Sequence, residues 1–458
     1  MALGIIGIIL ALAVFMIGVY KGLAPYWVAV ISVLIVAVTN RLVPIEALVT
    51  GENSFISGMS SFMVTVFACV FGGTILGSVY SMSGAAHSIA TTLTRLIPVK
   101  QGNDKKTVRI AITILMIINA IFMFGGLDAY ASTFVLIPIF LVTFEACDIP
   151  KKFVPAMQIL TWPFLCMPGC PQIFNIVGSA AMTEAGFPVG PAGGTVPGLI
   201  AGFFGAVVCW LALTQMIIKA KERGEHFEWG KLENVQTNRE KDEPNFIVSL
   251  IPLVVVFVLY TILKLDIFWA LGSAIILGLI LFSGNFEKAD ISGNRMNLFR
   301  RITHPVNEGA MKFPNALFTV MTPSGLATVI IGTSAFGAIV NGMSQLDMNP
   351  LVLTVIFTCI IVAITSAPPV ALNVCLPIIV GIAAAQLDDA VPAAAIMRLA
   401  IICVMTFETL PFGGQVVLGI QLAGESHKTS YKPIFVTTVM IPLVTAFLGL
   451  LLFMVFPG

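Results

Sequence analysis

Two acidic residues, Asp128 and Glu408, lie inside long apolar stretches of this 458-residue sequence. An ionisable group within a membrane costs roughly 2.5–3.5 kcal/mol, and its presence there is by default a functional hypothesis. Both carboxyl groups are therefore predicted to carry a proton, and capping of a broken helix is the alternative role for either one.

Neutral polar residues and glycines accompany both acids along the chain. Hydroxyl and amide side chains donate and accept hydrogen bonds without carrying charge, so they suit contacts to a small polar substrate or to a coupling ion. Each one alone could instead only satisfy a backbone group that a helix break has freed. The set predicted to bind substrate comprises Ser132, Thr133, Gly169, Gln172, Asn175, Ser366, Asn373, Thr409, Gly413 and Gln415.

Helix-breaking residues are concentrated in the same stretches. Proline removes a helix hydrogen bond and glycine weakens the helix, so clusters of them predict interruptions. Such breaks expose N–H groups that suit a carboxylate, and their unwound carbonyls suit a cation. We expect all four breaks to meet at one site. They are predicted at Phe124–Ser132, Met167–Gln172, Thr365–Asn373 and Glu408–Gln415.

The elements that would position these residues are membrane helices. Hydrophobic residues make up 58% of the chain and charged residues 10%, with a mean hydropathy of +0.99. An ordinary soluble domain is about 25% charged. The apolar runs are continuous over about 20 residues instead of alternating, which favours helices over a membrane barrel. The sequence therefore predicts an all-α polytopic membrane protein.

The distribution of positive charge predicts the topology. Most of the 24 lysine and arginine residues fall in a few clusters, which we assign to the cytoplasm because basic residues near helix ends favour that side. Segment 107–147 is then predicted to be a re-entrant hairpin from the cytoplasm, and segment 350–386 a hairpin from the opposite side. Interrupted helices follow at 153–184 and 391–424. Both termini are predicted to be periplasmic.

This order of segments predicts two inverted repeats, at 46–219 and 311–458. Residues 1–45 are predicted to form a helix pair, and residues 220–310 to hold cytoplasmic loops and connecting transmembrane helices at 246–283. Inverted repeats with paired broken helices are typical of secondary transporters, whose sites lie between the repeats. The sequence thus predicts transport of a small carboxylate, with a passive channel as the alternative from another class.

The sequence contains neither a His-Glu-x-x-His nor a Gly-x-Ser-x-Gly motif. These motifs mark common zinc and serine hydrolases, so an enzyme is disfavoured. No metal site and no cofactor besides the coupling ion are expected. That ion is predicted to be a proton, and Na+ is the alternative because the hydroxyl and amide oxygens of the two hairpins could coordinate it.

Three further residues combine charge or titration with an apolar context. Arg398 lies within the apolar run Ala393–Met405 and is predicted to snorkel to the membrane interface, with a contact to a carboxylate as the alternative. His87 is predicted to occupy an amphipathic surface position, with a proton relay as the alternative. His427 is predicted to be structural.

Five ordered motifs give the chain a resemblance to a known family. Together they look like the gluconate:proton symporter family of the ion transporter superfamily, over roughly residues 51–458. The motifs are Gly73-Thr74-Ile75-Leu76-Gly77, Ser83-Gly84-Ala85-Ala86-x-x-Ile89-Ala90, Pro168-Gly169-x-Pro171-Gln172-Ile173-x-Asn175, Glu408-Thr409-Leu410-Pro411 and His427-Lys428-x-x-Tyr431-Lys432.

The resemblance implies a bacterial inner-membrane symporter for gluconate, 3-hydroxybutyrate or another small carboxylate, usually driven by protons. It also implies a homodimer with scaffold and transport domains and an elevator-type movement. The expected partners are then the bilayer, the substrate and a second copy of the chain, with no nucleic acid.

Two departures from the family pattern bear on the substrate. The gluconate branch has Pro-Pro-His-Pro-Gly-Pro where this chain has Met167–Gln172, and the family often has His-Asn-Gly where this chain has Phe412–Gly414. The first segment resembles the hydroxybutyrate-like branch, and the second lacks a histidine. A monocarboxylate less polar than gluconate is therefore expected.

Overall fold

The computed structural model of the chain describes residues 2–95, 97, 104–125, 129–230, 243–263, 265–286, 296–345, 348–384, 387 and 392–456. The regular elements within these ranges are all helices, so the predicted all-α fold is confirmed. Seven helical segments are long and apolar enough to cross a membrane. Large apolar side chains such as Val64 and Phe203 remain exposed, and surfaces of this kind suit lipid.

The N-terminal part of the chain forms four helices and one short π-helical turn, Glu46–Thr50. The Ser54 hydroxyl accepts a hydrogen bond from the Ser57 N–H and so caps the third helix. That helix ends at Gly84, which has a left-handed φ of 78°. The four helices are α1 (Ala2–Tyr20), α2 (Pro25–Thr39), α3 (Phe55–Ser83) and α4 (Ala85–Arg95).

A hairpin and an interrupted helix follow. Hairpin 1 consists of α5 (Asp104–Phe124) and α6 (Ala129–Ala146). We call residues 166–172 break 1, because no helix is formed there: Pro168 cannot donate a helix hydrogen bond and Gly169 has a φ of 76°. The helices around break 1 are α7 (Val154–Ile159), α8 (Trp162–Leu165) and α9 (Ile173–Glu184).

Five helices lie between the interrupted helix of break 1 and the second hairpin. The longest of them continues for 34 residues despite three internal prolines. It packs closely along α3, where a Cβ at Gly309 would come within 2.5 Å of the Ile75 Cα. The predicted boundaries at 219/220 and 310/311 fall inside helices of this group. The five are α10 (Thr195–Glu222), α11 (Phe246–Phe257), α12 (Ile267–Leu281), α13 (Leu298–Ile331) and α14 (Ser334–Ser344).

The C-terminal part contains a second hairpin and a second interrupted helix. Hairpin 2 turns at Ser366, a non-glycine residue with a left-handed φ of 46°. We call residues 405–413 break 2 because they lie between two helices of the interrupted pair. The helices are α15 (Pro350–Thr365), α16 (Pro368–Ala383), α17 (Ala393–Val404), α18 (Gly414–Leu422), α19 (His427–Phe435) and α20 (Ile441–Val455).

The hairpins and interrupted helices pack across the two halves of the chain. Helix α6 of hairpin 1 packs on α7 and also on α18, while α16 of hairpin 2 packs on α17 and also on α9. Helix α13 lies against both α3 and α18. The start of α6, the tip of hairpin 2 and both breaks thus come together beside α3 and α13.

Candidate functional site

The start of α6, the tip of hairpin 2 and the two breaks line one cavity, which we call the central cavity. The space inside it for water-sized molecules is about 60 Å³, which corresponds to about four to six waters at ~10–15 Å³ each. Helices α3 and α13 form the facing wall. The remaining wall contains the first two residues of four helices, namely Ala129 and Tyr130 of α6, Ile173 and Phe174 of α9, Pro368 and Pro369 of α16, and Gly414 and Gln415 of α18.

Four helix starts give the central cavity a positive character. The first N–H groups of a helix have no intrahelical acceptor, and the helix dipole places a partial positive charge there. In α18 the N–H groups of Gly414–Val416 precede the first closing bond, from Val417 N–H to the Gly413 carbonyl. Helix α16 begins with two prolines, so it adds its dipole but fewer donors. The cavity therefore suits an anion.

Four of the residues predicted at the site line the central cavity: Gln172, Ser366, Glu408 and Gln415. The Gln172 Nε2 donates a hydrogen bond to the Met123 carbonyl over 2.9 Å, which ties break 1 to the end of α5. The Ser366 hydroxyl donates to the Glu408 carbonyl over 2.8 Å, which ties hairpin 2 to break 2. These bonds join the hairpin tips to the interrupted helices.

Break 2 turns sharply beside Glu408, and Gly413 makes this turn sterically feasible. A Cβ at Gly413 would come within 2.4 Å of the Glu408 carbonyl oxygen. Among the cavity-lining residues, Glu408 is the acidic one. The arrangement thus combines an anion-attracting surface with one group that can bind a proton.

Other predicted site residues support the cavity from behind. The Ser132 and Thr133 hydroxyls donate to the Ala129 carbonyl over 2.9 and 2.8 Å. Gln158 of α7 in turn donates to the Thr133 hydroxyl over 2.6 Å. Asn175 and Thr409 are buried in the frames of break 1 and break 2, outside the cavity lining.

Some predicted residues are not at the cavity. Gly169 is exposed in break 1, and Asn373 is exposed on α16. Asp128 lies outside the described residues. His87 is half-buried on α4, where its Nδ1 lies 2.5 Å from the Glu243 carboxylate.

The frame of break 1 is built around Arg398, and the prediction that Arg398 snorkels to the interface is wrong. The side chain is fully buried. Its guanidinium donates to the carbonyls of Gly193, Cys166 and Pro191 over 2.9, 2.9 and 2.6 Å, and to the Asn175 Oδ1. Burial wins over snorkelling because four acceptors are already in place around the charge.

The frame of break 2 is built from hydroxyls and one imidazole. The Thr409 hydroxyl donates to the Thr438 carbonyl over 2.9 Å, and the Tyr431 hydroxyl donates to the Thr409 carbonyl over 3.1 Å. The His427 Nε2 lies 2.8 Å from the Pro411 carbonyl oxygen, which agrees with the structural role predicted for this histidine. Side chains of α19 and a backbone carbonyl of the following turn therefore fix break 2.

Two parts of the cavity lining were not predicted from the sequence. One is the wall formed by α3 and α13, and the other is Tyr130 of α6. Phe62 and Val66 of α3 and Pro323 and Ser324 of α13 line the central cavity. The signal that could have found the α13 residues is the run Thr322–Gly325, a polar and helix-breaking cluster inside an apolar helix. This wall is mainly apolar.

A larger space, the outer cavity, lies on the side predicted to be cytoplasmic. It measures about 660 Å³ and is lined by the turn between α1 and α2 and by the start of α19. Lys21, Glu425 and Lys428 contribute charge to it. Helices α13 and α18 line both the outer and the central cavity.

A cluster of polar side chains lies at the C-terminal end of hairpin 1. Burial alone would raise the pKa of Asp148, but hydrogen bonds from His226 and the Phe227 N–H and the charge of Lys221 lower that pKa below its usual value. Glu145 accepts a hydrogen bond from the Trp229 indole over 2.8 Å. These contacts attach the segment after α10 to hairpin 1.

Comparison with known proteins gives a transporter relative. No protein-family model matches the chain. The chain is 23% identical over 478 aligned positions to a Bacillus subtilis (strain 168) protein named "uncharacterized transporter YxjC", and the alignment covers 94% of this chain and 95% of that protein. The resemblance to the gluconate:proton symporter family stays a prediction. Over nearly its whole length, the chain is similar to a protein named as a transporter.

Proposed function

We propose that this protein is a secondary transporter that moves a small monocarboxylate across a bacterial inner membrane together with a proton. The observation that carries the proposal is the central cavity, where four helix starts and one carboxylic acid meet inside an apolar helical protein. The similarity to a protein named as a transporter supports transport in general.

The substrate carboxylate binds to the N–H groups at the starts of α9 and α18 and to the amides of Gln172 and Gln415. The apolar part of the substrate faces Phe62, Val66 and the rest of the α3 and α13 wall. The space for water-sized molecules in the cavity is small, about 60 Å³. This size favours a short acid over a sugar acid.

Proton coupling follows from the position of Glu408. Two negative charges within one small, poorly hydrated cavity repel each other strongly. A bound carboxylate therefore favours the protonated form of Glu408, and the protonated form favours a bound carboxylate. Substrate and proton bind together and leave together, which is the requirement for symport.

Movement of the two hairpins and the interrupted helices against α3 and α13 exposes the site to each side in turn. Support comes from the division of the cavity wall between these two groups of helices. The substrate then passes between α13 and α18 to the outer cavity, because these two helices line both spaces. A homodimer in which α3 and α13 belong to the static part completes the proposal.

The test is uptake of a labelled panel into proteoliposomes: acetate, butyrate, 3-hydroxybutyrate and gluconate, under an imposed pH gradient, with sodium or choline as the external cation. We expect saturable uptake of the short acids that the pH gradient accelerates, and poor uptake of gluconate. Uptake that requires sodium would support the sodium-coupled alternative, and no uptake of any acid would exclude the substrate class. A passive channel would show no accelerated counterflow.

A steric variant links this activity to the central cavity. A Cβ at Gly414 would lie 2.9 Å from the Val320 Cα, which is backbone that cannot move aside as a side chain can. Gly414→Ala should therefore displace the start of α18 and lower uptake at least about tenfold, since overpacking costs about 1–3 kcal/mol. Gly381→Ala is the matched control, because a Cβ there meets nothing within 4 Å. Equal uptake by the two variants would argue against the site.

A further inference from the structure

Arg398 of α17 is the largest fully buried side chain in the described part of the protein. The four acceptors of its guanidinium are three backbone carbonyls and the amide oxygen of Asn175. All four are electrically neutral. Within the described residues Arg398 forms no ion pair. In the described part of the chain, the guanidinium therefore has four hydrogen-bond acceptors and no negatively charged partner.

Two glycines of the neighbouring segment make room for the arginine. Gly194 has a left-handed φ of 68°, and a Cβ there would lie 2.7 Å from the Arg398 Cβ. A Cβ at Gly198 would lie 2.9 Å from the Arg398 Cδ and 2.8 Å from the Pro168 Cγ. The start of α10 is thus shaped around a buried cation, although a buried charge without a counter-ion is unfavourable.

The guanidinium contacts both ends of break 1. Cys166 is the first residue of break 1, and Asn175 lies in the first turn of α9, directly after break 1. The Asn175 Nδ2 donates to the carbonyls of Leu165, Met167 and Cys170. Arg398 and Asn175 together fix the path of the chain up to Gln172 and Ile173, which line the central cavity.

We infer that Arg398 is a positioning residue for anion binding, which acts through break 1 and supplies a fixed positive charge behind the start of α9. The inference rests on the proposed function. Arg398 does not line the cavity, so its effect on the substrate is through the geometry of α9 and through the field of its charge. In this account the substrate carboxylate provides the negative charge that the described contacts of Arg398 lack.

The experiment compares Arg398→Gln and Arg398→Lys with the wild type in proteoliposomes, with labelled butyrate as the anion. Gln removes the positive charge and cannot reproduce the four hydrogen bonds of the guanidinium, whereas Lys keeps the charge but cannot reach all four acceptors. We expect KM for butyrate to rise more than about tenfold in Arg398→Gln and about threefold in Arg398→Lys, with the maximal rate changed less than KM. Equal KM values for the two variants, or a wild-type KM in Arg398→Gln, would overturn the inference.

A second readout does not depend on transport. Cys166 and Cys170 are buried in break 1, so the rate of their alkylation by N-ethylmaleimide, located by peptide mass spectrometry, reports the order of this segment. The alkylation rate should rise on the order of tenfold in Arg398→Gln, because break 1 then opens more easily. A tenfold rise corresponds to a free energy of local opening that is lower by about 1.4 kcal/mol. If the wild type carries no acid, the proposed function fails while this readout still tests the positioning role.

Gly198→Ala keeps the inference testable if Arg398→Gln does not fold. The added methyl group pushes on Arg398 and Pro168 without removing charge, so KM for butyrate and alkylation of Cys166 should both rise. Gly272→Ala of α12 is the control, since a Cβ there meets nothing within 4 Å. Wild-type KM and alkylation in Gly198→Ala would contradict the inference.

Discussion

Break 1 and break 2 both border the central cavity and interrupt their helices in similar ways, but different chemistry holds them. Break 1 is fixed by the guanidinium of Arg398 and the amide of Asn175. Break 2 is fixed by the hydroxyls of Thr409 and Tyr431 and by His427. The charge therefore differs in sign, since break 1 has a fixed cation behind it and break 2 contributes the carboxyl group of Glu408.

This difference assigns different tasks to the two breaks in our account. A guanidinium keeps its charge at every physiological pH, so break 1 provides a permanent attraction for an anion. A carboxyl group can gain or lose a proton, so break 2 can couple that anion to the pH gradient. Variants that alter one break and leave the other intact separate these tasks.

The largest expected effect is on coupling. Glu408→Gln keeps the shape of the side chain but cannot release a proton, so a pH gradient should no longer accelerate uptake, while counterflow exchange of labelled butyrate continues. The measurement is uptake with and without the gradient in proteoliposomes. Glu184→Gln, at an exposed acid near the end of α9, is the control. If the pH gradient still accelerated uptake by Glu408→Gln to the wild-type rate, Glu408 of break 2 would not be the group that couples uptake to protons. Asp128→Asn is expected to behave like Glu408→Gln.

The next effect concerns stability. Asn175→Ala removes three donated hydrogen bonds and one acceptor of a buried guanidinium, so it should destabilise the protein by about 3–5 kcal/mol. Thr409→Val removes a neutral hydroxyl from break 2 and should cost about 1–3 kcal/mol. Thermal unfolding of the purified proteins in detergent measures the order. If Asn175→Ala and Thr409→Val lost the same stability, the charge of Arg398 would not make the hydrogen bonds of break 1 stronger than those of break 2.

A smaller effect is expected at the tip of hairpin 2. Ser366→Ala loses the hydrogen bond to the Glu408 carbonyl, at about 0.5–1.5 kcal/mol. Ser366→Gly loses the same bond but relieves the left-handed backbone, which is unfavourable by roughly 1–2 kcal/mol for other residues. The glycine variant should therefore be the more stable of the two in thermal unfolding. The reverse order would show that the left-handed turn does not strain Ser366.

The smallest effect is the pH dependence of the polar cluster at hairpin 1. The pKa of Asp148 is below its usual value, which is about 3.9 in an unfolded chain. Its contribution to stability is therefore full above about pH 4 and is lost as the pH falls through the lower, folded-state pKa. Asp148→Asn should destabilise the protein at pH 7 by less than about 1 kcal/mol and match the wild type in strong acid. A variant as stable as the wild type at pH 7 would exclude this contribution.

Local sequence features predicted the helix interruptions well. Proline and glycine act on the residues next to them, so clusters such as Met167–Gln172 indicate a break without knowledge of the fold. Gln172, Ser366, Glu408 and Gln415 line the cavity, and each lies within one of the four interruptions predicted from the sequence.

The frame of the site depends on distant residues, and the sequence could not reveal it. Arg398 meets acceptors more than 200 positions away in the chain, so its apolar neighbours predicted a membrane-interface position instead. The wall formed by α3 and α13 was missed for the same reason. Side chains such as Phe62 look like ordinary lipid-facing or core residues until the packing of the two helices is known.

The most direct test of the central claim is a density map of the protein in lipid nanodiscs, recorded with and without the acid that gives the highest uptake. The account predicts additional density in the central cavity, with the carboxylate against the N–H groups of Ile173 and Gly414 and within reach of Glu408. Density for the acid at another place, with the central cavity unchanged, would contradict it.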